Sequence, residues 1–403
     1  MGGRFLFFFA FMEITHEKAC LCALNRIFGF EPKIALALIS HLGSAAEVFE
    51  LKQQEIGDLL GPHSRYRNGI SREAVDLAAA ELESLSDRGI SFCGWSESSY
   101  PPLLKECEDA PAGVYVRCSG APEDLWKKKR YIAVVGTRDL SPYGREWCEK
   151  LVCRLAEAPV QERPVIVSGL ALGTDICAHR TALACGLPTI AVMATGPDEI
   201  YPSRHRGAAA EICRSEGSAL ITDYPPGTAP LAIHFLRRNR IIAGLSEATV
   251  LIESKIKGGG MMTARLADSY NREVYALPGR VDDLRSQGCN LLIRSRTANP
   301  ITSVEDFLKE LGMSRRSTRA TAESDGQRLQ RLYSGTAAQD RIETMGRLLL
   351  AIRSEKGITI EDLACRSGLD YGRAAQMVGM LETDGFIITD LLQRCFINFR
   401  HGQ

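Results

Sequence analysis

From Tyr131 onward the chain follows one grammar, in which apolar, β-rich runs of about five residues alternate with longer helical stretches. The runs are Tyr131 to Val135, Val165 to Val167, Thr189 to Met193, Ala219 to Ile221, Ala248 to Ile252 and Glu273 to Leu277. Short strands without polar alternation are buried on both faces, and strands separated by helices pair in parallel through crossovers. The pattern predicts an α/β fold with a mostly parallel sheet and helices on both sides. At 403 residues the chain exceeds one ordinary core, so smaller flanking domains are expected.

The flanks read differently. Between His16 and Gly61 apolar residues recur at helical spacing, as in Leu21, Leu24, Ile27 and Phe28, and the turns Gly29-Phe30-Glu31-Pro32 and Leu42-Gly43-Ser44 interrupt them. With an amphipathic helix over 71–91, this predicts a helical domain over 13–90, of the sterile-alpha-motif (SAM) or helix-hairpin-helix kind. The extended Rossmann-like sheet domain then covers 91–312, entered through Tyr100-Pro101-Pro102 and a short strand Gly113 to Val116. Ser314 to Ala338 lacks periodicity and is rich in Ser, Thr, Arg and Gln, which predicts a linker over 313–339. Beyond it, a helix Ile342 to Ile352, helices capped by Thr359 and Asp370, and the alternating runs Phe386 to Ile388 and Cys395 to Ile397 predict a winged-helix domain over 340–403. Its third helix offers Arg373 against Asp370, Glu382 and Asp384, so it is expected to contact protein rather than phosphate.

Lys plus Arg and Asp plus Glu number 49 each, so any nucleic-acid site must be a local basic patch. Thirteen cysteines are scattered, with Cys20 and Cys22 the one close pair and no C-x-x-C. Cysteines such as Cys177 and Cys185 within apolar runs read as reduced core thiols, which implies a cytoplasmic protein without a metal site. The run Phe5-Leu6-Phe7-Phe8-Phe9-Ala10-Phe11 is far shorter than the roughly 20 residues of a membrane span, and no small-residue cleavage site follows it. No membrane partner is expected, and Met12 is the expected start.

Ligands of a parallel sheet bind beyond the carboxyl ends of its strands, and those ends are rich in glycine here. The first strand runs into Gly136-Thr137-Arg138, the second into Ser168-Gly169-Leu170-Ala171-Leu172-Gly173-Thr174-Asp175 and the third into Ala194-Thr195-Gly196. Glycine lets backbone N–H groups approach a ligand and feeds helix N-termini, which favour anions, so a phosphate site is expected. Neither G-x-G-x-x-G after the first strand nor G-K-[ST] is present, since Lys257 precedes Gly258-Gly259-Gly260, and no nucleotide cofactor is expected. The most specific segment is Phe235-Leu236-Arg237-Arg238-Asn239-Arg240, where an aromatic beside guanidinium groups offers base stacking and phosphate pairing together. Asp175 and His179 lie one helical turn apart, yet read more simply as a cap and a helix-face residue. Glu253 ends a strand with no second carboxylate fixed beside it, so no catalytic group is assigned.

In the order of its motifs the chain resembles the DNA-processing protein A (DprA/Smf) family. The motifs are Tyr100-Pro101, Gly136-Thr137-Arg138, Ser168-Gly169 with Gly173-Thr174-Asp175 and Ala178-His179, Tyr201-Pro202, Arg238 to Leu245, Leu277-Pro278-Gly279 and Gly288 to Ile293. The resemblance is dense from about 95 to 307 and implies single-stranded DNA binding, homodimerisation and loading of the recombinase RecA during natural transformation. The expected DNA contacts are Gly136, Thr137, Arg138, Ser168, Gly169, Gly173, Phe235, Arg237, Arg238, Asn239, Arg240, Lys257 and Gly259. This chain departs from the family with Leu236 in place of proline and Gly258-Gly259-Gly260 in place of Ser-Gly-Ser. The alternative is a phosphoribohydrolase of the lysine-decarboxylase-like family, whose P-G-G-x-G-T-x-x-E loop, aligned on Thr263, meets Gly258, Met262 and, at the glutamate, Leu266.

Overall fold

The computed structural model describes residues 14–127, 130–313, 325–333, 339–355, 357–390 and 393–397, which fall into two compact units divided near residue 315. In the first unit the strands are β1 (Ser91–Gly94), β2 (Gly113–Cys118), β3 (Tyr131–Val135), β4 (Val165–Ser168), β5 (Thr189–Val192), β6 (Ala219–Thr222), β7 (Ala248–Leu251), β8 (Glu273–Ala276) and β9 (Asn299–Pro300). They form one sheet in the order β1-β2-β6-β5-β4-β3-β7-β8-β9. From β6 to β9 every pairing is parallel, while β1 and β2 add an antiparallel edge beside β6.

The unbroken apolar character of the runs has a visible cause. Along β3, Ala133 and Val135 face one side, where they share a core with Ile241, Ile242, Met261 and Ala264 of the helices Ala232–Gly244 and Gly259–Ser269. Ile132 and Val134 face the other, against Cys148, Leu151, Leu155, Ala178 and Ala182 of the helices Pro142–Ala156 and Thr174–Ala184. Successive residues therefore meet different helical layers, and a polar residue at either phase would be stranded in a core.

The N-terminal helices His16–Ile27, Pro32–Leu42, Ala45–Glu50, Gln53–Leu60 and Arg72–Ser86 precede the sheet. The expected division at residue 90 does not separate cores. Phe92 of β1 and Tyr115 of β2 are buried with Leu21, Leu24, Phe28 and Leu82, because the antiparallel edge turns one face towards the helices. Asn25 fastens the join by donating to the carbonyl of Asp223 at 2.8 Å.

The second unit packs the helices Gln339–Ser354, Ile360–Ser367 and Tyr371–Thr383 on a small sheet of β10 (Ile358–Thr359), β11 (Ile387–Thr389) and β12 (Arg394–Ile397), in the order β10-β12-β11. Thr359 and Asp370 cap their helices by accepting from the N–H groups of Asp362 (3.1 Å) and Arg373 (3.0 Å). The stretch expected as linker is corrected in part. Residues Asp325–Tyr333 form a helix, because Leu329 and Tyr333, one turn apart, are buried in the core of this unit. Residues 314–324 and the Phe5 to Phe11 run lie outside the described residues. Among the described residues no helix is long and apolar enough to cross a membrane, and all thirteen cysteines are free.

Candidate nucleic-acid interface

The chain lays down β3, β4, β5 and β6 in one direction across the sheet, then returns to place β7 on the other side of β3. Such a reversal leaves a crevice where neighbouring loops part in opposite directions. A cavity of about 690 Å³ occupies it, lined by residues 136–139 after β3, Ala171, Leu172 and Asp175 after β4, residues 254–255 and 257–260 after β7, and the first turns of the helix Ala232–Gly244.

Two glycines make the crevice tight. A Cβ on Gly260 would stand 3.2 Å from the Cα of Gly136, and one on Gly136 would stand 2.4 Å from Oγ1 of Thr174. Their absence brings the start of the helix Gly259–Ser269 against the turn after β3. Its N-cap, Gly258, makes no side-chain capping bond, and no acidic residue lies in its first turn. The N–H groups and partial positive charge of that end are therefore open to an anion. The helix Thr174–Ala184 also starts at the cavity, from Gly173 with φ 74°, but carries Asp175 in its first turn.

Over this floor stand charged side chains and two rings. Arg138 is exposed, and its guanidinium carbon lies 4.9 Å from the centroid of Phe235. Tyr201, 45% exposed, meets the same ring edge-on with centroids 5.6 Å apart. Lys255 and Lys257 are exposed at the rim. Among the described residues none of these three cations has a carboxylate partner within ion-pair distance.

Of the expected contacts, Gly136, Thr137, Arg138, Phe235, Arg238, Asn239, Lys257 and Gly259 line the cavity. Arg238 does so from within the protein: it is 3% exposed, and its Nη1 donates to the carbonyl of Gly169 at 2.6 Å and to that of Val192. Burial pulls it down from its ordinary value to about 10, opposed by the nearby Asp175. It supplies positive potential to the floor, whereas the sequence had implied a side chain free to grip phosphate. Asn239 donates to the carbonyl of Gly259 at 3.4 Å and so fixes the helix start.

The remaining five lie off the cavity wall. Ser168 is buried, with its hydroxyl donating to the carbonyl of Val134 at 2.7 Å. Gly169 and Gly173 are close-approach positions, where a Cβ would meet Arg238 Nη1 at 2.0 Å and the carbonyl oxygen of Thr137 at 2.2 Å. Arg240 turns the opposite way along the helix and pairs with the buried Asp223, and Arg237 lies over Phe30. Consecutive arginines cannot share one helix face, which is why this cluster divides.

The acid-base alternatives dissolve in the same geometry. His179 is fully buried, its Nδ1 is 2.7 Å from Oγ1 of Thr189, and burial lowers it to about 3. Asp175 is not the N-cap, a place taken by Gly173; its carboxylate accepts from the N–H of Ala171 at 3.3 Å, and burial raises its pKa. Glu253 is 1% exposed and accepts from the N–H (3.0 Å) and hydroxyl (2.5 Å) of Ser141, which itself caps the helix Pro142–Ala156. Sequence reasoning missed Lys255 and Tyr201 as site residues. Lys255 was legible from its place just past β7, and Tyr201 only through the fold that brings it to Phe235.

A family model described as DNA recombination-mediator protein A matches residues 91–312. The Synechocystis protein Smf is 31% identical over 297 residues, which cover 73% of each chain. The DNA processing protein DprA of Streptococcus pneumoniae is 38% identical over 214 residues, covering 53% of this chain and 72% of that one. The X-ray structure of DprA from Streptococcus pneumoniae matches with a TM-score of 0.60 at 30% identity, covering 74% of this chain and 99% of that chain.

Proposed function

The chain belongs to the DNA recombination-mediator protein A family, and from that premise we propose that it binds single-stranded DNA at the crevice between β3 and β7 and hands it to the recombinase RecA. Membership makes it a DNA-processing, recombination-mediating protein rather than an enzyme. The finer reading is a cytoplasmic homodimer that holds incoming DNA during natural transformation or recombination, with the second unit as a winged helix that contacts protein.

The observation that carries the reading is the Arg138, Phe235 and Tyr201 cluster beside the uncapped start of the helix Gly259–Ser269. An exposed ring stacks on a base only when that base is unpaired, and cations with free N–H groups hold phosphates without reading sequence. Together they favour single strands over duplex. The second unit supports a protein-contact role, because Arg373, on the helix Tyr371–Thr383, is paired with Asp370 at 3.4 Å.

The phosphoribohydrolase alternative is not favoured. Leu266 stands where that family places its glutamate, and it packs against the core. Glu253, at the end of β7, is consumed by Ser141, and Asp175, which lines the crevice, accepts from the N–H of Ala171.

The test is a titration of the full chain with labelled oligothymidylate and with duplex of equal length, at about 50 and about 200 mM salt. A preference for the single strand and a fall in affinity with salt are expected. Equal affinity for both forms, or release of free base from a nucleoside monophosphate, contradicts the reading. Light scattering should give the dimer mass, and addition of the protein should shorten the lag in RecA filament formation on single-stranded DNA.

A further inference from the structure

A second cavity, of about 560 Å³, opens beside the first, between the N-terminal helices and the outer face of the helix Ala232–Gly244. Ile233, Leu236, Met262 and Leu266 give it an apolar floor, and Phe30 forms a wall. Leu236 lines both cavities, so the two are continuous across one residue. Phe30 is 51% exposed, an unusual place for a large ring in a turn between helices.

Arg237 accounts for the position of that ring. Its guanidinium carbon lies 4.4 Å from the centroid of Phe30, and its Nη2 donates to the carbonyl of Gly29 at 2.7 Å. No carboxylate lies within ion-pair distance of Arg237 among the described residues, so its charge is not neutralised locally. The two carboxylates at the cavity are already engaged, Glu31 by the hydroxyl of Tyr66 at 2.8 Å and Asp109 by that of Tyr270 at 2.7 Å. A ring beside an unneutralised guanidinium is also found in the half-buried Phe235 under Arg138, where the helix Ala232–Gly244 supplies the ring; here the same helix supplies the cation and the exposed Phe30 the ring.

We propose that this cavity is a second base-stacking station for single-stranded DNA, supplied by the N-terminal helices. The inference rests on the single-strand reading of the first cavity. A strand leaving Phe235 passes over Leu236, lays a base on the apolar floor against Phe30, and pairs its phosphate with Arg237. An apolar floor suits the flat face of any base, and the guanidinium of Arg237 suits one phosphate, so the station adds affinity without sequence preference. The shared core of Phe92 and Tyr115 with the N-terminal helices, and the bond from Asn25 to Asp223, hold Phe30 at a fixed place beside the sheet. The helical module then sets how long a strand must be to bind fully.

The experiment compares oligothymidylates of about 4 and about 16 nucleotides, the range over which single-strand binders occupy successive subsites, on the full chain and its Phe30→Ala, Phe30→Trp and Phe235→Ala variants. Phe30→Ala is expected to weaken binding of the long oligomer by about 5- to 150-fold and leave the short one unchanged, while Phe30→Trp retains the parent affinity for both. Phe235→Ala should weaken both lengths. If Phe30→Ala binds the long oligomer as the parent does while Phe235→Ala is weakened, the second station is overturned and the first cavity stands. If Phe30→Ala loses self-association instead of affinity, the groove is a protein contact and the proposal fails. If the parent binds neither length, this inference falls together with the reading beneath it.

Discussion

Gly169 and Arg238 form a fitted pair: a Cβ added to the glycine would stand 2.0 Å from Nη1 of the arginine, which donates to the carbonyl of that same glycine at 2.6 Å. The arginine can be buried only because the glycine has no side chain. Gly169→Ala should therefore expel Arg238 and leave Asp175 buried without its cation, at a cost of about 3 kcal/mol. Urea denaturation measures this. A loss under about 0.5 kcal/mol would mean that Arg238 relaxes without consequence.

Glu253 is bonded to Ser141 through both carboxylate oxygens. In Glu253→Gln one acceptor becomes a donor facing a donor, with an expected cost of about 1–3 kcal/mol. Because this group supports the helix Pro142–Ala156 rather than touching DNA, single-strand affinity should stay within about threefold of the parent. A variant of unchanged stability that no longer binds would place Glu253 in the interface.

His179 makes the fold acid-sensitive. Burial lowers it to about 3, whereas the unfolded chain holds it near its ordinary value of 6.5, so below pH 6.5 the unfolded state binds the extra proton. Its contribution is complete above that pH and is lost as pH falls towards 3. Between pH 7 and pH 5 the loss should be about 2 kcal/mol, and His179→Leu should show a flatter profile over the same range. Parallel profiles for parent and variant, by denaturation at each pH, would contradict this.

The parallel part of the sheet was legible in the sequence because burial on both faces forces apolar runs, and each of the six expected runs from Tyr131 onward is a strand to within one residue at either end. The edges were not, since the helix expected over 71–91 ends at Ser86, β1 and β9 were not expected, and the strand expected over Gly113 to Val116 continues to Cys118. The glycine turns after β3 and β4 were legible because they follow strands at the carboxyl edge of the sheet, and Phe235 because it stands beside a run of arginines, and both line the crevice. The division of Arg237, Arg238 and Arg240 was not, because sequence adjacency says nothing about which arginine finds a buried partner. Arg240 is committed to Asp223, 17 residues away, and Arg238 to carbonyls of two other strand ends. The helix Asp325–Tyr333 was hidden by polar composition, with Leu329 and Tyr333 buried among its described side chains.

Removal of the second unit by truncation after Met313 should leave single-strand affinity within a few-fold, as the first unit contains both cavities. The check is a binding titration of the truncated chain. A loss of about a hundredfold would show that the second unit carries phosphate contacts of its own.

The most direct test of the crevice as a single-strand site is the salt dependence of oligothymidylate binding by Arg138→Ala and Phe235→Ala. Arg138 is exposed and has no carboxylate partner among the described residues, so its loss should weaken binding and lower the slope of log K against log salt by about 0.7, the value of one phosphate contact on a single strand. Phe235 stacks without releasing counterions, so its loss should weaken binding by about 1–3 kcal/mol at an unchanged slope. If both variants remain folded and bind with the parent's affinity and slope, DNA does not enter between β3 and β7.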